Sequence, residues 1–103
     1  MPITSKQRAF LRGLAMKEET IILIGKGGIT DNLVLSVCDA LKARELVKDK
    51  TLESSMLTAR EACDELCERC GAEPVQCIGT KFVLYKRNAK EPKIELPKDR
   101  KKA

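Results

Sequence analysis

The run Ile21-Ile22-Leu23-Ile24 stops at Gly25-Lys26-Gly27-Gly28, and Thr30-Asp31 opens a helical pattern just beyond. A continuous, mostly β-branched apolar run from Thr20 predicts a buried strand. Glycines leave the main chain bare, so a ligand can approach it closely. A threonine or aspartate ahead of apolar residues at helical spacing is a helix start. Strand, bare loop and helix in series confine the chain to an α/β architecture. They also set peptide N–H groups and the positive end of a helix at one place, which suits phosphate.

The rest of the chain extends that pattern. Thr4 with Gln7 is a capping box, and Phe10, Leu11 and Leu14 form an apolar stripe, so residues 5–17 predict an amphipathic helix. Arg8 and Arg12 lie one turn apart, away from the stripe, and Lys6 and Lys17 add charge. Leu33, Val34, Val37, Cys38 and Leu41 give the second helix its core face, and a strand begins at Leu46 and reaches Leu52. Thr58 with Glu61 caps a third helix carrying Ala62, Cys63, Leu66, Cys67 and Cys70, and Gly71 suits its left-handed end. Val75–Ile78 and Phe82–Lys86 predict two strands joined by a Gly79-Thr80 hairpin turn. The order is α-β-α-β-α-β-β. Crossover helices imply parallel pairing and the hairpin an antiparallel pair, giving a mixed four-stranded sheet packed with three helices. Residues 1–87 are expected to form a single domain. Residues 88–103, with Pro92, Pro97 and a terminal Lys/Arg run, are expected to be a basic tail without stable structure.

Charge is unevenly spread. Residues 1–30 carry five basic and two acidic side chains, residues 31–79 six and ten, and residues 80–103 nine and three. Positive ends around a negative middle suggest a polyanion bound on one face. The longest apolar run is four residues, so no transmembrane helix is expected. The N-terminus lacks the apolar stretch of a signal peptide. Five cysteines, an odd number, fit a reducing cytoplasm better than a disulfide framework.

Several chemistries are disfavoured. A P-loop needs four residues between its first glycine and Gly-Lys-Ser/Thr, and here Lys26 follows Gly25 directly. The dinucleotide fingerprint fails at Thr30, although Glu45 lies where an acidic ribose ligand could. Cys67-Glu68-Arg69-Cys70 is a CxxC, but it sits in the last turn of a helix, where the dipole raises thiol pKa values. The cysteines also follow core spacing, so packing explains them better. Cys63, Cys67, Cys70 and Cys77 lack the spacing of paired zinc knuckles. With no histidine there is no triad, and no catalytic residue, metal or cofactor is expected.

A Gly-x-x-Gly loop before a helix can clamp a single-stranded RNA backbone. Gly25 and Gly28 would hold its outer positions, Lys26 and the amides of Gly27 and Gly28 would hold phosphates, and Arg8, Arg12 and Lys17 would widen the positive surface beside them. The same glycines would also serve a tight strand-to-helix turn. Phe10 and Phe82 are expected in the core, so base stacking should contribute little and backbone electrostatics should dominate.

Block by block, the chain resembles the YhbY family of bacterial RNA-binding proteins, the stand-alone form of the CRM domain (chloroplast RNA splicing and ribosome maturation). The blocks are Thr4-Ser5-Lys6-Gln7-Arg8, Leu23 to Thr30, Ala40-Leu41 with Arg44-Glu45-Leu46-Val47-Lys48, Gly71-Ala72 before Val75-Gln76, Ile78 to Tyr85, and Ile94-Glu95-Leu96-Pro97. The resemblance implies a fold similar to the C-terminal domain of bacterial translation initiation factor 3, with a KH-like Gly-x-x-Gly loop. It implies association with precursors of the large ribosomal subunit, a role in their maturation, and no catalysis; the expected contact there is with ribosomal RNA. It carries the loop to Gly25, Lys26, Gly27 and Gly28, and the basic helix face to Lys6, Arg8 and Arg12. Lys17, Arg44, Lys48, Lys81, Lys86 and Arg87 are further expected RNA contacts. Gly27 departs from the polar residue the family often has there. The expected form is a monomer without membrane or small-molecule partner. The alternative is a ribosome-associated factor that binds mainly a protein through the acidic middle.

Overall fold

Three threonines start the three helices. A computed structural model describes residues 3–87 together with Ile94. In it Thr4 precedes α1 (Ser5–Ala15), Thr30 precedes α2 (Asp31–Arg44) and Thr58 precedes α3 (Ala59–Cys70). Each hydroxyl oxygen accepts the N–H three residues on, at 3.1 Å, from Gln7, Leu33 and Glu61 in turn. The side chains of Gln7 and Glu61 return the bond to Thr4 and Thr58, completing two capping boxes. Gly71 ends α3 at φ 70°, in the left-handed region that glycine enters without steric cost. The expected helices and their caps are present, although α1 ends at Ala15, leaving Lys17 just outside it.

The strands are β1 (Thr20–Ile24), β2 (Leu46–Thr51), β3 (Glu73–Ile78) and β4 (Lys81–Tyr85), arranged β1-β2-β4-β3. β1 and β2 are parallel across the α2 crossover, and β4 pairs antiparallel with both β2 and β3. The sheet is therefore mixed, as the helix–strand order predicts. Gly79 takes φ 61° in the β3–β4 turn, the conformation a two-residue hairpin turn with glycine first requires.

Each face of the sheet has its own core. Ile22, Ile24, Val47, Phe82 and Leu84 pack with Val37 and Leu41 of α2 and Ala62, Cys63 and Leu66 of α3. Leu46, Val75, Val83 and Tyr85 pack on the other face with Ile3 and with Leu11 and Ala15 of α1, and Ile94 joins them. β4 lies between two strands and under helices on both sides. Its sequence is accordingly apolar from Phe82 to Tyr85, and all four residues are buried. Apart from Ile94, the expected tail lies outside the described residues.

Two expectations fail for one reason. β1 is an edge strand: Ile22 and Ile24 are buried, but Ile21 and Leu23 are exposed. Phe10 is 40% exposed, because α1 buries Leu11 and Ala15 instead. Both follow from where α1 lies. Arg8 Nε donates to the Pro74 carbonyl near one end of the sheet, and the Ala15 carbonyl accepts from Lys48 Nζ on β2. The helix therefore crosses β3, β4 and β2 over one half of the face and leaves the other half open.

Candidate nucleic-acid interface

The glycine segment is a tight turn. The Gly28 N–H donates to the Gly25 carbonyl at 3.0 Å, and Gly28 then takes φ 69°. Gly28 is thus a glycine for conformational reasons. Gly27 is not, since its φ is not positive and an added Cβ would meet only Thr30 Cγ2, at 4.0 Å. A Cβ on Gly25 would touch Ser54 Oγ at 3.5 Å and Leu52 Cδ1 at 3.6 Å, so the turn is seated against the loop after β2.

This geometry alters the expected grip. The Gly28 amide is spent inside the turn and is not available to a phosphate. The α2 terminus is also occupied: Thr30 caps it, and the exposed Asp31 carboxylate sits in its first turn, 3.6 Å from Arg69 Nη1. A carboxylate there competes with an incoming anion. The amides of Lys26 and Gly27 make no hydrogen bond among the described residues, and the Lys26 side chain is exposed beside them. The usable anion donors of the turn are therefore two peptide N–H groups and one ammonium.

The other candidate cations divide by position. The strand pairing puts Ile24, Thr51, Lys81 and Ile78 at one end of the sheet, the end from which the glycine turn projects. Leu46, Tyr85 and Glu73 mark the opposite end, roughly 17 Å away along β2. Arg44, Lys86 and Arg87 belong to that far end. Arg44 lies 3.9 Å from Glu18, and Lys86 Nζ donates to the Cys70 carbonyl at 2.8 Å, closing the end of α3. Lys6 and Arg12 are exposed on α1 and Lys17 just after it, while half-buried Arg8 is held by Pro74 on the β3 side. β3 stands three strand steps, roughly 14 Å, from β1. The structure does not bring Arg8 beside Lys26.

Lys48 lies midway along β2 and Lys81 at the turn end of β4, both on the sheet face that α1 shares. Lys50 lies there too, directly opposite Lys81. Sequence reasoning passed over Lys50. The available signal was the alternation Lys48-Asp49-Lys50, which sends both lysines to one face of a strand.

The cysteines are packed into the other face. Cys63 and Cys70 are buried, and all five thiols are free. The near neighbour of Cys70 is Cys38 on α2, with the two sulfurs 2.7 Å apart, and not Cys67 of the CxxC. Burial, then the Cys38 thiol, pushes the Cys70 pKa up to about 12. That is the opposite of a reactive thiol.

Comparison with known proteins adds to this geometry. A family model described as the CRS1 / YhbY (CRM) domain matches residues 3–86. The chain is 37% identical over 95 residues to the Bacillus subtilis protein named "Probable RNA-binding protein YqeI", covering 92% of this chain and 99% of that protein. It is 32% identical over 96 residues to a Haemophilus influenzae protein named "RNA-binding protein", covering 93% and 96%. The solution structure of SAV1595 from Staphylococcus aureus matches with a TM-score of 0.76 at 38% identity, covering 92% of this chain and 99% of that one.

Proposed function

The chain belongs to the CRS1/YhbY (CRM) domain family, and on that premise we propose that it binds RNA through the glycine turn and adjoining basic surface. Its target in this reading is ribosomal RNA in precursors of the large subunit, whose maturation it assists without catalysing a step. The observation that carries the reading is the turn itself: the Lys26 and Gly27 amides, unpaired among the described residues, beside an exposed lysine. The names of the full-length relatives support RNA as the polyanion. Phosphate contacts dominate affinity in such an interface and release counterions, so binding must weaken with salt.

The test is a titration of purified protein against large-subunit ribosomal RNA at several salt concentrations. A steep linear fall of log affinity with log salt is expected. Flat binding between low and moderate salt would overturn the reading. Sedimentation with precursor particles that survives RNA digestion would assign the contact to a protein instead.

A further inference from the structure

We propose that the open half of the sheet face, beside α1, is a second RNA contact that takes the single-stranded segment leaving the glycine turn. The inference rests on the RNA-binding reading above and deepens it.

Cross-strand partners place four residues in one transverse row. Leu23 pairs with Lys50, Lys50 with Lys81, and Lys81 with Ile78, so the row spans all four strands. Residues directly opposite one another share a face. That face is the one opposite α2 and α3, because the alternate residues Ile22, Phe82 and Cys77 pack in the α2/α3 core. The row also lies at the end of the sheet from which the glycine turn projects.

The row is built against its own stability. Two lysines stand directly opposite each other, which is repulsive at this separation. Among the described residues no ion pair engages Lys50 or Lys81. Lys48 is held towards α1, its ammonium donating to the Ala15 carbonyl at 3.4 Å. An anion lying between Lys50 and Lys81 removes the repulsion. Leu23 and Ile78, 56% and 65% exposed, flank the pair at the two sheet edges. Alongside runs a shallow groove of about 220 Å³ lined by Lys48, Gln76, Ile78, Lys81, Phe82 and Val83.

Charge in the centre with apolar side chains at the rims selects the kind of polyanion. A duplex would offer phosphates to the lysines and leave Leu23 and Ile78 facing water. A single strand offers phosphates together with unstacked base and sugar faces, which the apolar rims can cover. The occupant is therefore single-stranded RNA.

The experiment compares a single-stranded RNA oligonucleotide with a duplex of equal length, using the full chain. The variants are Lys50→Gln with Lys81→Gln, Ile78→Asp, and Gly27→Asp in the turn. Folding of each is checked by circular dichroism and thermal melting. The double lysine variant should lose roughly tenfold in single-strand affinity. Its log–log salt slope should fall by about 1.4, because each phosphate contact to a single strand contributes about 0.7. Ile78→Asp should weaken single-strand binding more than duplex binding. A folded double variant that binds the single strand like the parent, while Gly27→Asp loses it, overturns the second contact and leaves the turn standing. Equal losses for strand and duplex overturn the single-strand assignment. Failure of the parent chain to bind either RNA overturns the RNA reading itself.

Discussion

The Gly28 N–H donates to the Gly25 carbonyl, so the last amide of the glycine segment is consumed by the turn, while Gly27, one residue earlier, has room for a side chain. The two glycines should therefore respond differently to substitution. Gly28→Ala forces a side chain into the left-handed region and should cost about 1 kcal/mol of stability. A Cβ added at Gly27 meets only Thr30 Cγ2, at an ordinary contact distance of 4.0 Å, and Gly27→Asp needs no unusual backbone angle. It should leave the melting temperature nearly unchanged while a carboxylate beside the Lys26 and Gly27 amides abolishes RNA binding. Chemical denaturation and an RNA titration on both variants separate the two effects. Normal binding by folded Gly27→Asp would reduce the segment to a turn.

Lys86 offers the converse case, a cation whose work is structural. Its ammonium closes the exposed carbonyl end of α3 at Cys70, in the region where the helix dipole favours positive charge. Lys86→Met should lower stability by roughly 1 kcal/mol and leave RNA affinity and its salt slope unchanged. A loss of affinity without a loss of stability would return Lys86 to the interface.

Cys70 should resist alkylation in the folded protein. With its pKa raised to about 12 by burial and by Cys38, almost none of it is thiolate at pH 8. Brief iodoacetamide treatment followed by peptide mass spectrometry should find Cys70 unmodified in the native chain and modified in denaturant. Preferential labelling of Cys70 in the native state would revive a reactive CxxC.

What the sequence made legible was local. Thr4, Thr30, Thr58 and Gly71 act within one helical turn, and Gly79 acts within one hairpin, so each could be read without knowing the rest of the fold. The features that were missed depend on coverage by distant elements. Ile21 and Leu23 look like core until α1 is seen to stop short of them. Phe10 looks like core until Leu11 and Ala15 are seen to take that role. The same holds for the interface. The turn was visible in four residues, but its spent Gly28 amide was not. The opposition of Lys50 to Lys81 joins residues thirty-one positions apart and exists only through strand register. Lys86 and Arg44 looked like the other cations until the topology put them at the far end of the sheet.

Asp49 is the clearest conflict between local and global structure. It occupies an inward position of β2, fully buried, and neither carboxylate oxygen has a hydrogen-bond partner among the described residues. Burial, with Cys63 adding to it, raises its pKa from 3.8 to about 8, and Cys70 is a further titratable neighbour. Below the unfolded value both folded and unfolded chains hold the proton, and the contribution to stability is fully present. As pH rises from about 4 towards about 8 the unfolded chain ionises while the folded chain stays neutral. Each pH unit in that window then costs the fold about 1.4 kcal/mol. Above the folded pKa both states are ionised and the loss levels off. Asp49→Val fills the position with an apolar side chain of similar size, on a strand that suits β-branching. It should stabilise the protein by about 4 kcal/mol more at pH 7 than at pH 4. Urea unfolding of both proteins at pH 4, 6 and 8 measures this directly. The parent should lose stability across the series relative to the variant, and two parallel pH profiles would mean that Asp49 is ionised inside the fold.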